Sequence, residues 1–180
     1  MKKRIFFALF VVLILSYSIQ AQAGPLRQGL LSEDHNSKAD STISTPAPRE
    51  KFDPTRDAAK DIADAARMAQ KEGKRILLDV GGEWCIWCHK LDKFFEDNHD
   101  VADFLHANYV VVKVNYSKEN KNEKLLSSYP EVKGYPHLFV LDSNGKLLHS
   151  QDTGALESGD HHDHNKVFDF LKKWAPNPRS

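Results

Sequence analysis

Cys85 and Cys88 are the whole thiol content of this 180-residue chain, and they stand where a strand pattern gives way to helical spacing. Upstream, "RILLDV" from Arg75 to Val80 is a short apolar run closed by Gly81-Gly82, which reads as a buried strand. Downstream, from Cys85 to about Phe95, the apolar positions Cys88, Leu91 and Phe95 share one helical face. "YVVVKVNY", Tyr109 to Tyr116, is rich in β-branched and aromatic residues and forms the clearest strand. A thiol pair at a strand-to-helix turn, inside a βαβ unit, narrows the chain to the α/β class.

The remaining pattern fills in that unit. Asp57 to Glu72 predicts a helix with a thin stripe of Ala59, Ile62, Ala66 and Ala69, ended by Gly73. A short helix after Asn98 carries Val101, Phe104 and Leu105, and another covers Asn122 to Ser128. "HLFVLD", Asn144-Gly145 and "KLLHS" read as a hairpin with a tight turn. A polar loop from Gln151 to about Asn165 leads to a last helix with Val167, Phe168, Leu171 and Trp174 on one face. Alternating elements followed by a hairpin predict a mixed central sheet with helices on both faces.

The N-terminus predicts export. Lys2, Lys3 and Arg4 precede an apolar run from Ile5 to Leu15, and Ala21-Gln22-Ala23 offers small residues where a signal peptidase cuts. The expected organisation is a signal peptide at 1–23, a flexible leader at 24–52, one domain at 53–176 and a tail at 177–180. Without the signal, 22 Lys and Arg face 25 Asp and Glu, a balance that gives no reason to expect a nucleic-acid or anionic-membrane partner. Two cysteines cannot build the multi-bridge framework of a small secreted scaffold.

The letters of "WCIWCHK" allow several chemistries. C-x-x-C-H is the attachment pattern of a c-type haem, and C-x-x-C ahead of a helix is a dithiol redox centre. A passive disulfide and a copper- or zinc-holding thiolate pair are further readings. The strand-to-helix setting favours the dithiol: unpaired N–H groups and the helix dipole at the first turn ease ionisation of the Cys85 thiol, making it the nucleophile. Cys88, one turn deeper, is placed to resolve a mixed disulfide. Asp79 within "ILLDV" is costly to bury unless it is paired or has a raised pKa.

The stretch from Arg75 to Tyr116 resembles the thioredoxin superfamily, and most of all its exported branch, which includes the C-terminal domain of the disulfide reductase DsbD. The Trp-Cys-x-x-Cys core, the upstream Asp strand and a Pro following Gly-Tyr 48 residues beyond Cys88 carry the likeness. The resemblance implies a thioredoxin-like fold and thiol-disulfide exchange. It implies that Pro136 is a cis-proline, that the backbone of Tyr135 pairs with substrate, and that Trp84 flanks the site. It further implies that Asp79 assists proton transfer to Cys88 and that Lys113 neighbours this carboxylate, an outward-facing edge lysine being the alternative.

Between the cysteines the chain departs from well-known members. Ile86-Trp87 offers a Cys85 thiolate neither charge nor a strong hydrogen bond, which points to a reducing or moderate potential. His89 is a further tuning candidate, since an imidazolium near a thiol favours thiolate. "HHDH", His161 to His164, has the composition of a metal site without a demonstrated geometry. The expectation is an exported, monomeric thiol-disulfide oxidoreductase without a cofactor, acting on protein disulfides in a periplasm and served by a membrane reductase of the DsbD type. A metal chaperone and a haem protein are the alternatives.

Overall fold

A computed structural model describes residues 50–177. The signal peptide, nearly all of the expected leader and the end of the tail lie outside the described residues. Among those described, a four-stranded sheet runs in the order β2-β1-β3-β4, from Tyr109–Asn115, Arg75–Gly81, His137–Leu141 and Leu147–Asp152. β2 is parallel to β1, whereas β3 and β4 are antiparallel to their neighbours, so the sheet is mixed as expected.

Strand alternation sorts the interior into two layers. Ile76, Leu78 and Val80 of β1, with Val112, Val114, Phe139 and Leu141, pack on helix α1, Ala58–Glu72. Leu77, Tyr109, Leu138 and Val140 pack on α2 (Ile86–Asp97), α3 (His99–Asn108) and α5 (His164–Trp174). Asp57 caps α1 by accepting from the Lys60 N–H, and Gly73 ends it at φ 71°, a left-handed position suited to glycine. α4 is a single turn, Glu123–Leu126, shorter than its sequence pattern predicts.

Several expectations need correcting. Ala59 is exposed, and the buried stripe of α1 is Ala58, Ala65 and Ala69, with Ile62 and Ala66 beside it. In α5 the buried residues are Val167, Phe170 and Leu171, while Phe168 and Trp174 are only partly covered. The loop expected from Gln151 onward is structured: Asp152 ends β4, Thr153–Leu156 form a 3-10 turn, and β5 (Glu157–Ser158) pairs with β6 (His161–His162) in a tiny hairpin. The leader boundary also shifts, because Phe52 is 2% exposed and belongs to the interior.

Candidate active site

Cys85 and Cys88 are joined by a disulfide at the N-terminus of α2. Cys85 is the N-cap: its sulfur accepts from the Cys88 N–H at 3.1 Å, and its backbone is extended. A thiolate there would meet the same donor and the positive end of a three-turn helix. Cys88 is 0% exposed and Cys85 4%, so only Cys85 offers any surface to an incoming sulfur. Gly81 makes this packing possible, since a Cβ there would collide with Cys88 Sγ.

The surface around Cys85 is apolar and aromatic. Trp84 and Ile86 are large apolar side chains left 59% and 66% exposed. Trp84 Nε1 donates to the Tyr116 carbonyl at 2.6 Å, which pins the indole edge-on to Tyr135 with ring centroids 5.6 Å apart. Tyr135 stacks on Tyr116 at 4.8 Å. The Tyr135–Pro136 peptide is cis, and the Pro136 carbonyl accepts from Thr153 Oγ1 at 2.6 Å. Ile86 is thus open to solvent; Trp87 is half-buried, its ring 4.1 Å from Lys90 Nζ and 5.6 Å from the His162 ring. His89 Nε2 lies 2.9 Å from the Glu83 carbonyl oxygen.

Beneath the disulfide sits an ion cluster. Asp79 and Lys113 are direct register partners on parallel strands, and Lys113 Nζ lies 2.8 Å from Asp79 Oδ2 and 2.6 Å from Asp92 Oδ1. All three side chains are almost wholly buried, so Lys113 faces inward. Burial alone would lower the Lys113 pKa; the two carboxylates outweigh that and hold it above the ordinary value. Asp79 shares its strand face with Gly81, two residues on, and hence looks toward the side on which Cys88 packs.

Asp92 and Phe52 escaped the sequence reading. Asp92 stands four residues after Cys88, one helical turn along the buried face, and that spacing was the available signal. Phe52 is a lone large apolar residue five positions before a helix cap.

The histidines of the His161–His164 run, which has the composition of a metal site, face different partners. His161 Nδ1 faces Asp160, His164 Nε2 faces Asp100, and His162 is buried against Trp87 and Phe94. Among the described residues, no group of three or more His, Cys, Asp or Glu side chains is arranged to hold a metal ion.

Known proteins resemble this arrangement. A family model described as thioredoxin-like matches residues 57–143. The thiol:disulfide interchange protein DsbD of Actinobacillus pleuropneumoniae is 29% identical over 93 residues, covering 51% of this chain and 16% of that protein. Disulfide bond reductase DsbH of Chlamydia pneumoniae is 28% identical over 98 residues, covering 49% of this chain and 58% of DsbH. The chain thus spans about a sixth of the one relative and just over half of the other. A crystal structure of a disulphide isomerase from Xylella fastidiosa Temecula1 superposes with a TM-score of 0.61 at 26% identity, covering 71% of this chain and 98% of that one. With the sheet order, the cysteine pair at a helix start and the cis-proline loop beside it, these matches show a thioredoxin-like domain over residues 57–143.

Proposed function

We propose that this chain is an exported thiol-disulfide oxidoreductase that reduces protein disulfides, with Cys85 as nucleophile and Cys88 as resolving thiol. The observation that carries the reading is the asymmetry of the pair: Cys85 caps a helix beneath an exposed Trp84-Ile86 face, while Cys88 is sealed in the interior. The interchange protein DsbD, the reductase DsbH and the Xylella disulphide isomerase, which this domain matches, are all named for the same class of chemistry.

In the reduced protein the Cys85 thiolate attacks one sulfur of a substrate disulfide held along the Trp84, Tyr135 and Pro136 face. A Cys85–substrate bond forms, the substrate S–S bond breaks, and the departing sulfur takes a proton from solvent. Cys88 then passes its proton to the Asp79 carboxylate and attacks Cys85 Sγ. The Cys85–Cys88 bond forms, the second substrate sulfur leaves as thiolate, and two electrons have moved to the substrate. Lys113 Nζ lies 2.8 Å from the Asp79 carboxylate, and Asp92 shares the lysine. Ile86 and Trp87 supply no charge to a Cys85 thiolate, which favours the reducing direction; His89, bonded to the Glu83 carbonyl, is a bystander.

Reduction consumes the dithiol, so a donor must restore it, and a membrane reductase of the DsbD type in a periplasm fits that need. Among the described residues no helix is long and apolar enough to cross a membrane. The deciding experiment expresses Cys88→Ser in the native compartment: protein mixed disulfides through Cys85 should accumulate. Insulin reduction by the unsubstituted protein should vanish in Cys85→Ser. No trapped species and no turnover with dithiothreitol would overturn the reading.

A further inference from the structure

The segment ahead of α1 lies across the disulfide. Phe52 packs against Cys85 and Cys88, and its ring atoms Cζ and Cε1 stand 3.1 and 3.3 Å from the place a Gly81 Cβ would take. The face of the same ring lies 4.2 Å from Lys113 Nζ. One side chain therefore touches the inner cysteine on one side and the cation of the ion cluster on the other. The segment is fastened at both ends of this contact: the Phe52 N–H donates to Glu83 Oε1 at 2.9 Å, and the Pro54 carbonyl accepts from Asn120 Nδ2 at 2.9 Å.

A crevice of about 250 Å³ reaches the cluster. Glu50, Asp79, Asp92 and Lys113 line it, and Cys88 does not. Solvent can therefore meet the carboxylates without meeting the inner sulfur. A thiol enclosed by apolar groups keeps its proton, because the thiolate is the form that loses hydration.

Resting on the oxidoreductase reading, we propose that Phe52 is a positioning residue: its ring seals Cys88 from water, so that the Cys88 proton leaves only by way of Asp79 and the crevice. Cys85 is then the sole nucleophile of the reduced protein. When a mixed disulfide has formed, the Cys88 proton moves to the Asp79 carboxylate, the Cys88–Cys85 bond forms as the Cys85–substrate bond breaks, and Asp79 returns the proton to water in the crevice.

The test uses the full chain with Cys85→Ser, reduced, and follows iodoacetamide alkylation of Cys88 against pH by mass spectrometry. Alkylation is expected to be slow, with a midpoint above the ~8.5 of a free thiol. Adding Phe52→Ala should move the midpoint down by about one unit, raising the rate at pH 7 about tenfold, with Phe52→Leu in between. A folded Ala variant whose profile superimposes on its parent overturns the proposal. So does a rate raised equally at every pH with the midpoint unmoved, which is simple loosening. If the Ala variant does not fold, Leu decides: a rise of about threefold is expected, and a parental profile overturns the proposal. No substrate is needed, so a lack of insulin turnover in the unsubstituted protein would dismiss the oxidoreductase reading while leaving this result intact.

Discussion

With Lys113 gone, the largely buried Asp79 and Asp92 carboxylates would be left without the cation between them. Lys113→Met is therefore expected to cost about 3–5 kcal/mol at pH 7, read from urea melts, because two carboxylates lose their counter-charge. The Lys113 pKa is raised in the folded state, so its contribution is complete below the unfolded value of 10.5 and is lost as pH climbs through the folded one. The gap between parent and variant should hold through neutral pH and narrow in alkali. Asp79→Asn leaves Lys113 its second partner and tests proton transfer instead. Decay of a preformed mixed disulfide should slow about 100-fold at pH 7 and recover partly at higher pH, where hydroxide can deprotonate Cys88. Asp79 was legible because a carboxylate inside an apolar strand asks for a partner, whereas Lys113 came only from the family resemblance, with an outward-facing edge lysine as its alternative. Asp92 was not, because a polar position on an amphipathic helix reads as solvent-facing until the third dimension supplies Lys113 beneath it.

Among the elements, the β5–β6 hairpin was the least legible. Two-residue strands are too short to show alternation, and a run of His and Asp reads as a hydrated loop. Yet His162 is buried, with neither ring nitrogen hydrogen-bonded, edge-on to Trp87 and near Phe94. A neutral imidazole there packs as an apolar group. Burial above all, then the charges of Lys90 and His161, pushes its pKa down to about 4. The unfolded chain consequently binds the extra proton between about pH 6.5 and 4, and stability should fall as pH drops through that window. His137, also lowered by burial, acts in the same sense. His162→Leu should flatten the decline by about 2–3 kcal/mol between pH 7 and 4, measured by urea melts, leaving a smaller slope from His137. At the junction of β1 and α2, Gly81→Ala forces Cys88 and Phe52 aside and should destabilise the oxidised protein by about 1–3 kcal/mol.

For the molecule as a whole, the order of long elements and the mixed sheet were readable from hydrophobic period alone. The domain's edge was not, since Phe52 sits in a stretch whose composition is that of a linker. Of two shortened chains, one beginning at Glu50 and one at Asp53, the second should be less stable by about 3–5 kcal/mol in urea, the cost of removing a buried phenyl ring. The cross-strand pairing of Asp79 with Lys113 has a consequence that reaches beyond redox chemistry. Apart from the Asp79–Lys113 pair and their end residues, β1 and β2 are runs of Ile, Leu and Val, which could align in more than one offset. Sliding one past the other by a residue would set Asp79 against Val112 or Val114 and strand an ammonium and a carboxylate in hydrocarbon. The two charges therefore work as a key for strand alignment, admitting one offset and rejecting its neighbours while the sheet assembles.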